Sequence, residues 1–158
     1  QNAKKFKRAN FFKVYLTNPS LRSALFSPIK KDDGVIGNMV ETAIFSQWEH
    51  NSNKPLYYAR WNSGEIDIVS LNAEQKPNWC IEIKWTNRFA KKPSELKNLN
   101  LFTKKHSMKD VAVTTIDIFK TITFNETTYD FIPASIYAYA VGRNIIHGKL
   151  MEHTANKA

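Results

Sequence analysis

A chain of 158 residues is long enough for one well-filled core, and 42% hydrophobic with 13% aromatic content excludes a disordered polypeptide. Lysine and arginine outnumber the acids 23 to 14, a net charge of +9 that points to an anionic partner. No apolar run approaches the roughly 20 residues that span a bilayer, and one cysteine, Cys80, excludes an internal disulfide and fits a reducing, cytoplasmic setting.

Residues 1–10 are basic and polar and read as a flexible extension. They carry no initiator methionine and no apolar signal core, as expected for a segment cut from a longer protein. Residues 11–143 read as a single domain and 144–158 as a tail. Phe11 to Leu16 is apolar enough for a short strand. Asn18-Pro19 is a helix start, with the amide as N-cap and proline at the first helical position, and the helix ends before Pro28.

From Val35 to about His50 the spacing is helical, with Ile36, Val40, Ala43, Ile44 and Trp48 on one stripe. Glu41 lies at the edge of that stripe, so its carboxylate faces a sheet margin. Gly37 costs about 1 kcal/mol in a helix interior, which predicts close packing there. Leu56 to Trp61 is a strand, and Asn62-Ser63-Gly64 turns it into a second one, Gly64-Glu65-Ile66-Asp67-Ile68-Val69. Asn72 to Asn78 reads as a hairpin loop, followed by a third strand ending Ile81-Glu82-Ile83-Lys84.

Pairing these two strands about the middle of the loop sets Asp67 opposite Glu82. Directly opposed side chains lie about 5 Å apart at Cβ, where like charges repel. The period of two predicts Ile66, Ile68, Ile81 and Ile83 on one face, with Asp67, Glu82 and Lys84 on the other. Lys84 can offset one carboxylate; a divalent cation can offset both, and oxygen-only ligation of this kind suits Mg²⁺. The ordinary alternative is an ion-pair cluster on a half-exposed hairpin.

Residues 84–109 carry eight basic residues against Glu95 alone. Arg88, Lys91, Lys92, Lys104 and Lys105, together with Arg60, are the candidate nucleic-acid contacts; a solubilising helix face is the alternative. Trp85 to Pro93 reads as a basic loop. Ser94 reads as the N-cap of a helix to about Ser107, with Leu96, Leu99 and Phe102 inward. Val111 to Thr115 is a buried-looking strand. The strand, helix, strand order predicts a parallel pair within an α/β fold. Residues 117–131 suggest a peripheral hairpin about Asn125-Glu126, and Pro133 opens a last helix to about Val141. The four histidines have no metal-ligand spacing, Cys80 reads as a small buried residue, and the tryptophans and the Tyr57-Tyr58 pair read chiefly as core, with base stacking as the alternative.

A helix with Glu41, a three-strand meander with Asp67 and Glu82-Ile83-Lys84, a crossover helix and a parallel strand together resemble the PD-(D/E)xK, or restriction-endonuclease-like, nuclease superfamily. The stretches Lys13 to Leu21, Gly37 to Glu41, Tyr57 to Arg60, Gly64 to Val69 and Ile81 to Lys84 are similar to the C-terminal domain of a group of bacterial and archaeal AAA+ ATPases. The resemblance implies a restriction-endonuclease-like core with a mixed sheet flanked by helices. It further implies Mg²⁺ or Mn²⁺ held by Asp67, Glu82, the Ile83 carbonyl and Glu41, with Lys84 acting on the nucleophile or the developing charge. The expected partners are DNA and an upstream ATPase part of the same polypeptide. No glycine-rich phosphate loop occurs in these residues, so no ATP site is expected here. A non-catalytic module that docks the ATPase to DNA or to a protein is the alternative.

Overall fold

The computed structural model describes residues 15–16, 18–25, 29–30, 33–49 and 55–155. The expected N-terminal extension and most of the strand expected at 11–16 lie outside them; Tyr15 and Leu16 are not in a strand. The elements in order are α1 (Ser20–Leu25), α2 (Ile36–Glu49), β1 (Tyr57–Trp61), β2 (Gly64–Leu71), β3 (Pro77–Glu82), α3 (Arg88–Lys91) and a 3₁₀ turn (Pro93–Glu95). They continue with α4 (Lys97–His106), β4 (Asp110–Thr115), β5 (Lys120–Phe124), β6 (Thr127–Pro133) and α5 (Ala134–Ala155).

The strands form one mixed sheet in the order β1-β2-β3-β4-β6-β5. β1, β2 and β3 make an antiparallel meander, β3–β4 and β4–β6 are parallel, and β5–β6 is an antiparallel hairpin. Helices cover both faces. Leu96, Leu99 and Phe102 pack on one face with Cys80, Val111, Val113, Tyr129 and Phe131. Ile44 of α2 and Ala134, Tyr137 and Val141 of α5 pack on the other with Ile68, Ile81, Ile83 and Ala112. The molecule is thus α/β, with a six-stranded mixed sheet between helical layers. Among the described residues no helix is long and apolar enough to cross a membrane.

Local sequence accounts for most of the boundaries. Asn18 Oδ1 accepts the Ser20 N–H at 2.8 Å and starts α1 as an N-cap does. Asp33 Oδ1 does the same for Val35 at 3.0 Å ahead of α2. In the β2–β3 loop, Asn72 Oδ1 accepts from the N–H groups of both Glu74 and Lys76 at 3.0 Å. The β5–β6 turn places Asn125 and Glu126 at φ 49° and 63°, the left-handed pair that matches strand twist in a two-residue hairpin.

Several expectations need correction. The basic loop after β3 contains the short helix α3. Ser94 does not cap α4; it sits inside the 3₁₀ turn, and α4 starts after Leu96 without a side-chain cap. Among the described residues nothing lies within 4 Å of the position a Gly37 Cβ would take, so they provide no close packing there. The β5–β6 hairpin is peripheral in β5 alone, the largely exposed edge strand; β6 is bonded to β4 over six residues, and its Tyr129 and Phe131 are fully buried. The last helix runs to Ala155 rather than to about Val141. Gly142 reads as a stop, yet the helix continues through it, and a Cβ there would meet only the flexible end of Gln47 of α2, with Oε1 at 2.8 Å.

The face assignment also changes. Ile68 pairs with Ile81, Val69 with Cys80 and Ser70 with Trp79, the register expected from the loop centre, before it slips by one at Leu71–Pro77. On the other side of β2, however, the chain passes from Tyr57–Val69 to Ala59–Ile66, two residues on β1 against three on β2. This is a β-bulge in β2, at Asp67-Ile68. Ile66 and Val69 therefore share the α4 face while Ile68 points to the α2–α5 face, and the four isoleucines do not form one surface.

Candidate active site

The bulge and the C-terminal ends of β3 and β4 meet at one point. Asp67 is 5% exposed and Glu82 6%, so the pair is not a surface ion cluster. The ladder between β2 and β3 reaches Ile68–Ile81. One residue further, in the same register, Asp67 faces Glu82. Asp67 Oδ2 accepts the backbone N–H of Ile83 at 2.8 Å, so a side chain of β2 caps the end of β3. Lys84 Nζ lies 2.7 Å from Glu82 Oε1. Two residues apart on an extended chain, these side chains share a face.

Thr114, fully buried on β4, fixes the backbone of Lys84 from both sides. Its Oγ1 accepts the Lys84 N–H at 2.7 Å and donates to the Lys84 carbonyl at 2.8 Å. Glu41 comes from α2. Its Oε1 accepts the Tyr15 hydroxyl at 2.6 Å, and the Tyr15 ring stacks on Phe45 with centroids 4.1 Å apart. Thr114 and Tyr15 were not singled out by sequence: a threonine inside an apolar strand gives no sign that its hydroxyl will face the end of a neighbouring strand.

The electrostatics follow from burial. Desolvation, and then the Asp67 charge, push the Glu82 carboxyl up to about 7 against the pull of Lys84. Burial by itself would lower the Lys84 ammonium; Glu82, Asp67 and Glu41 outweigh it and hold it above its ordinary value. Cys80, deeply buried, has its thiol pushed up to about 12 by desolvation and by Glu82, and such a thiol is a poor nucleophile. Glu82 Oε2 is buried with no hydrogen-bond partner within normal distance among the described residues, although the Asp67 backbone N–H is near enough to this carboxylate to pull its pKa down slightly. Among the described residues no group of three or more His, Cys, Asp or Glu side chains is disposed to hold a metal ion; two carboxylates converge.

The basic candidates divide into two sets, because a crossover helix must carry the chain from the far end of β3 back to the start of the parallel strand β4. Arg88, Lys91 and Lys92 follow β3 directly and stay at the carboxylate end of the sheet. Arg88 is paired with Glu95, and Lys92 lies 3.8 Å from the same carboxylate. Lys104 and Lys105 sit in the last turn of α4, toward the opposite end. Lys105 and Arg60 line one groove and Lys104 another. Comparison with protein-family models, with curated proteins and with solved structures found no match for this chain.

Proposed function

We propose that this chain is a restriction-endonuclease-like domain that hydrolyses phosphodiester bonds in DNA with Mg²⁺ or Mn²⁺, working in the cytoplasm as the C-terminal part of an ATPase. The observation that carries this reading is Glu82 Oε2, a buried carboxylate oxygen beside the carboxylate of Asp67 that has no hydrogen-bond partner among the described residues. A buried carboxylate needs a proton or a cation, and Lys84 supplies charge to the other oxygen only. The oxygen donors fit a hard divalent ion that keeps part of its shell for water and phosphate. Asp67 and Glu82 would hold it, with the Ile83 carbonyl as a further donor; Glu41, engaged by Tyr15, does not complete a three-carboxylate group with them. When bound, the ion supplies Lewis acidity at the phosphate and acidifies water.

The chain's own groups take the remaining roles. Lys84 is kept as an ammonium, which suits stabilising negative charge on phosphate oxygens rather than removing a proton. Its side chain is 32% exposed, enough to reach a ligand while Thr114 holds its backbone. Asp67, bonded to Ile83 N–H, keeps the β2 and β3 ends at a fixed separation. The net charge of +9 draws the polyanion. The test is calorimetric titration of Mg²⁺ and Mn²⁺ into wild type and Asp67→Asn, without and with a DNA duplex, followed by a cleavage assay. Binding and cleavage that depend on Asp67 are expected. No binding at millimolar metal by a folded protein, with DNA present, overturns the reading.

A second reading, a docking module for DNA or a partner protein, is favoured by α5. Ile136, Tyr139 and Ile146 are 50%, 70% and 61% exposed and fall on one side of the helix. Such a module has no need of metal at Asp67, so the same titration separates the two.

A further inference from the structure

On the α4 side of the sheet, the edge strand β1 and the last turns of α4 border a groove of about 550 Å³, within the range of small-ligand sites. Its rings form a series. Trp61 stacks on Phe102 at 6.1 Å and 13°, and Phe102 meets His106 at 4.5 Å and 48°. Tyr57, at the mouth, is 44% exposed, so core packing does not account for it. Lys105 adds a cationic group, and among the described lining residues there is no Asp or Glu; Arg60, on the groove's edge strand, has Glu65 as its cross-strand neighbour.

Phe102 is buried between Trp61 and His106, so the exposed Tyr57 ring is the face left to a ligand. An aromatic face beside a lysine suits a flat heteroaromatic ring that carries a negative charge, which is the chemistry of a nucleobase with its phosphate. In a duplex the base faces are covered by their neighbours, so only an unpaired base can enter a groove this shape.

We propose that the groove between β1 and α4 binds an unpaired nucleobase of a nucleic-acid strand, with Lys105 on the adjoining phosphate. The domain then favours single-stranded or frayed DNA over closed duplex. That the strand is a substrate rests on the nuclease reading; that it binds in the groove does not.

The experiment is fluorescence anisotropy of an end-labelled oligothymidylate of about twelve nucleotides with the 158-residue chain in EDTA, so that neither metal nor cleavage enters. The comparison strands are the same oligomer with abasic sites, a closed duplex and the free mononucleotide. Tyr57→Ala should weaken the single strand roughly tenfold and the duplex less than about twofold, and Tyr57→Phe should restore binding. Lys105→Ala should lower the salt slope of single-strand binding by about one. Unchanged single-strand affinity in a folded Tyr57→Ala protein overturns the proposal. So does an abasic strand held by wild type as tightly as the intact one, or a mononucleotide bound more tightly than the strand. Any of these leaves the metal titration to judge the nuclease reading separately.

Discussion

Asp67 Oδ2 takes the backbone N–H of Ile83 at 2.8 Å, so a carboxylate proposed as a metal ligand also terminates a strand. The two roles separate by substitution. Asp67→Ala leaves the Ile83 N–H buried and unmatched and should cost about 1–3 kcal/mol in urea unfolding. Asp67→Asn keeps an acceptor oxygen and should cost less, while losing metal binding as fully as alanine. Equal stability of the alanine variant and wild type would show that this hydrogen bond is not formed.

Glu82 makes stability depend on pH. Its carboxyl is raised from 4.5 to about 7, so the folded state holds the proton more tightly than the unfolded chain. The protonated form's contribution is fully present below about 4.5 and is lost as the pH rises through about 7. At 1.36 kcal/mol per unit this amounts to roughly 3 kcal/mol. The difference in unfolding free energy, wild type minus Glu82→Gln, should therefore fall by that order between pH 4.5 and 8. A flat difference rules out a raised Glu82 carboxyl in the folded state.

Added Mg²⁺ should act in the opposite sense. A ligand carboxylate must be ionised, so the cation competes with the proton on Glu82. The melting temperature should rise on Mg²⁺ addition at pH 8 and much less at pH 5. At a hundred times Kd the gain should be about 2.7 kcal/mol. Removal of the ion with EDTA should return the pH 8 curve to its starting point.

Thr114 is tested by shape. Thr114→Val keeps the volume but leaves both the N–H and the carbonyl of Lys84 without their partner, for a loss of about 1–3 kcal/mol. Thr114→Ser keeps the hydroxyl and should lose less. If cleavage is detected, the valine variant should show a lower kcat and the serine variant should recover most of it.

Gly64 stands where no side chain fits. A Cβ there would lie 2.6 Å from Asn98 Cγ and Oδ1 and 2.7 Å from Trp61 Cζ2. Asn98 can turn aside, but Trp61 is stacked on Phe102. Gly64→Ala should destabilise by about 1–3 kcal/mol and shift the tryptophan emission, as measured by thermal unfolding and fluorescence.

The register of the central hairpin was readable because a loop centre and a period of two fix it, and with it the facing of Asp67 and Glu82. The burial of that pair was not, since a half-exposed hairpin and a strand with helices on both faces share the same alternation. The bulge was hidden for a related reason: Ile66-Asp67-Ile68 alternates whether or not one residue is extra. Sequence proximity placed all the lysines of 84–109 beside the carboxylates. The return path of α4 separates Lys104 and Lys105 from Arg88, and only the topology shows it. The length of α5 was missed because Gly142 reads as a terminator, whereas the helix continues through it.

The extra residue in β2 also acts as a phase lock. A strand of uniform alternation can slide by two places and offer its partners the same faces again. β2 cannot, because its odd residue matches β1 at one step only, between Tyr57 and Ala59. Slippage in either direction would drag the irregularity into a regular stretch of the ladder and withdraw Asp67 from the Ile83 N–H. The meander thus has a single resting alignment, and the carboxylate that marks it is the one on which the proposed chemistry depends.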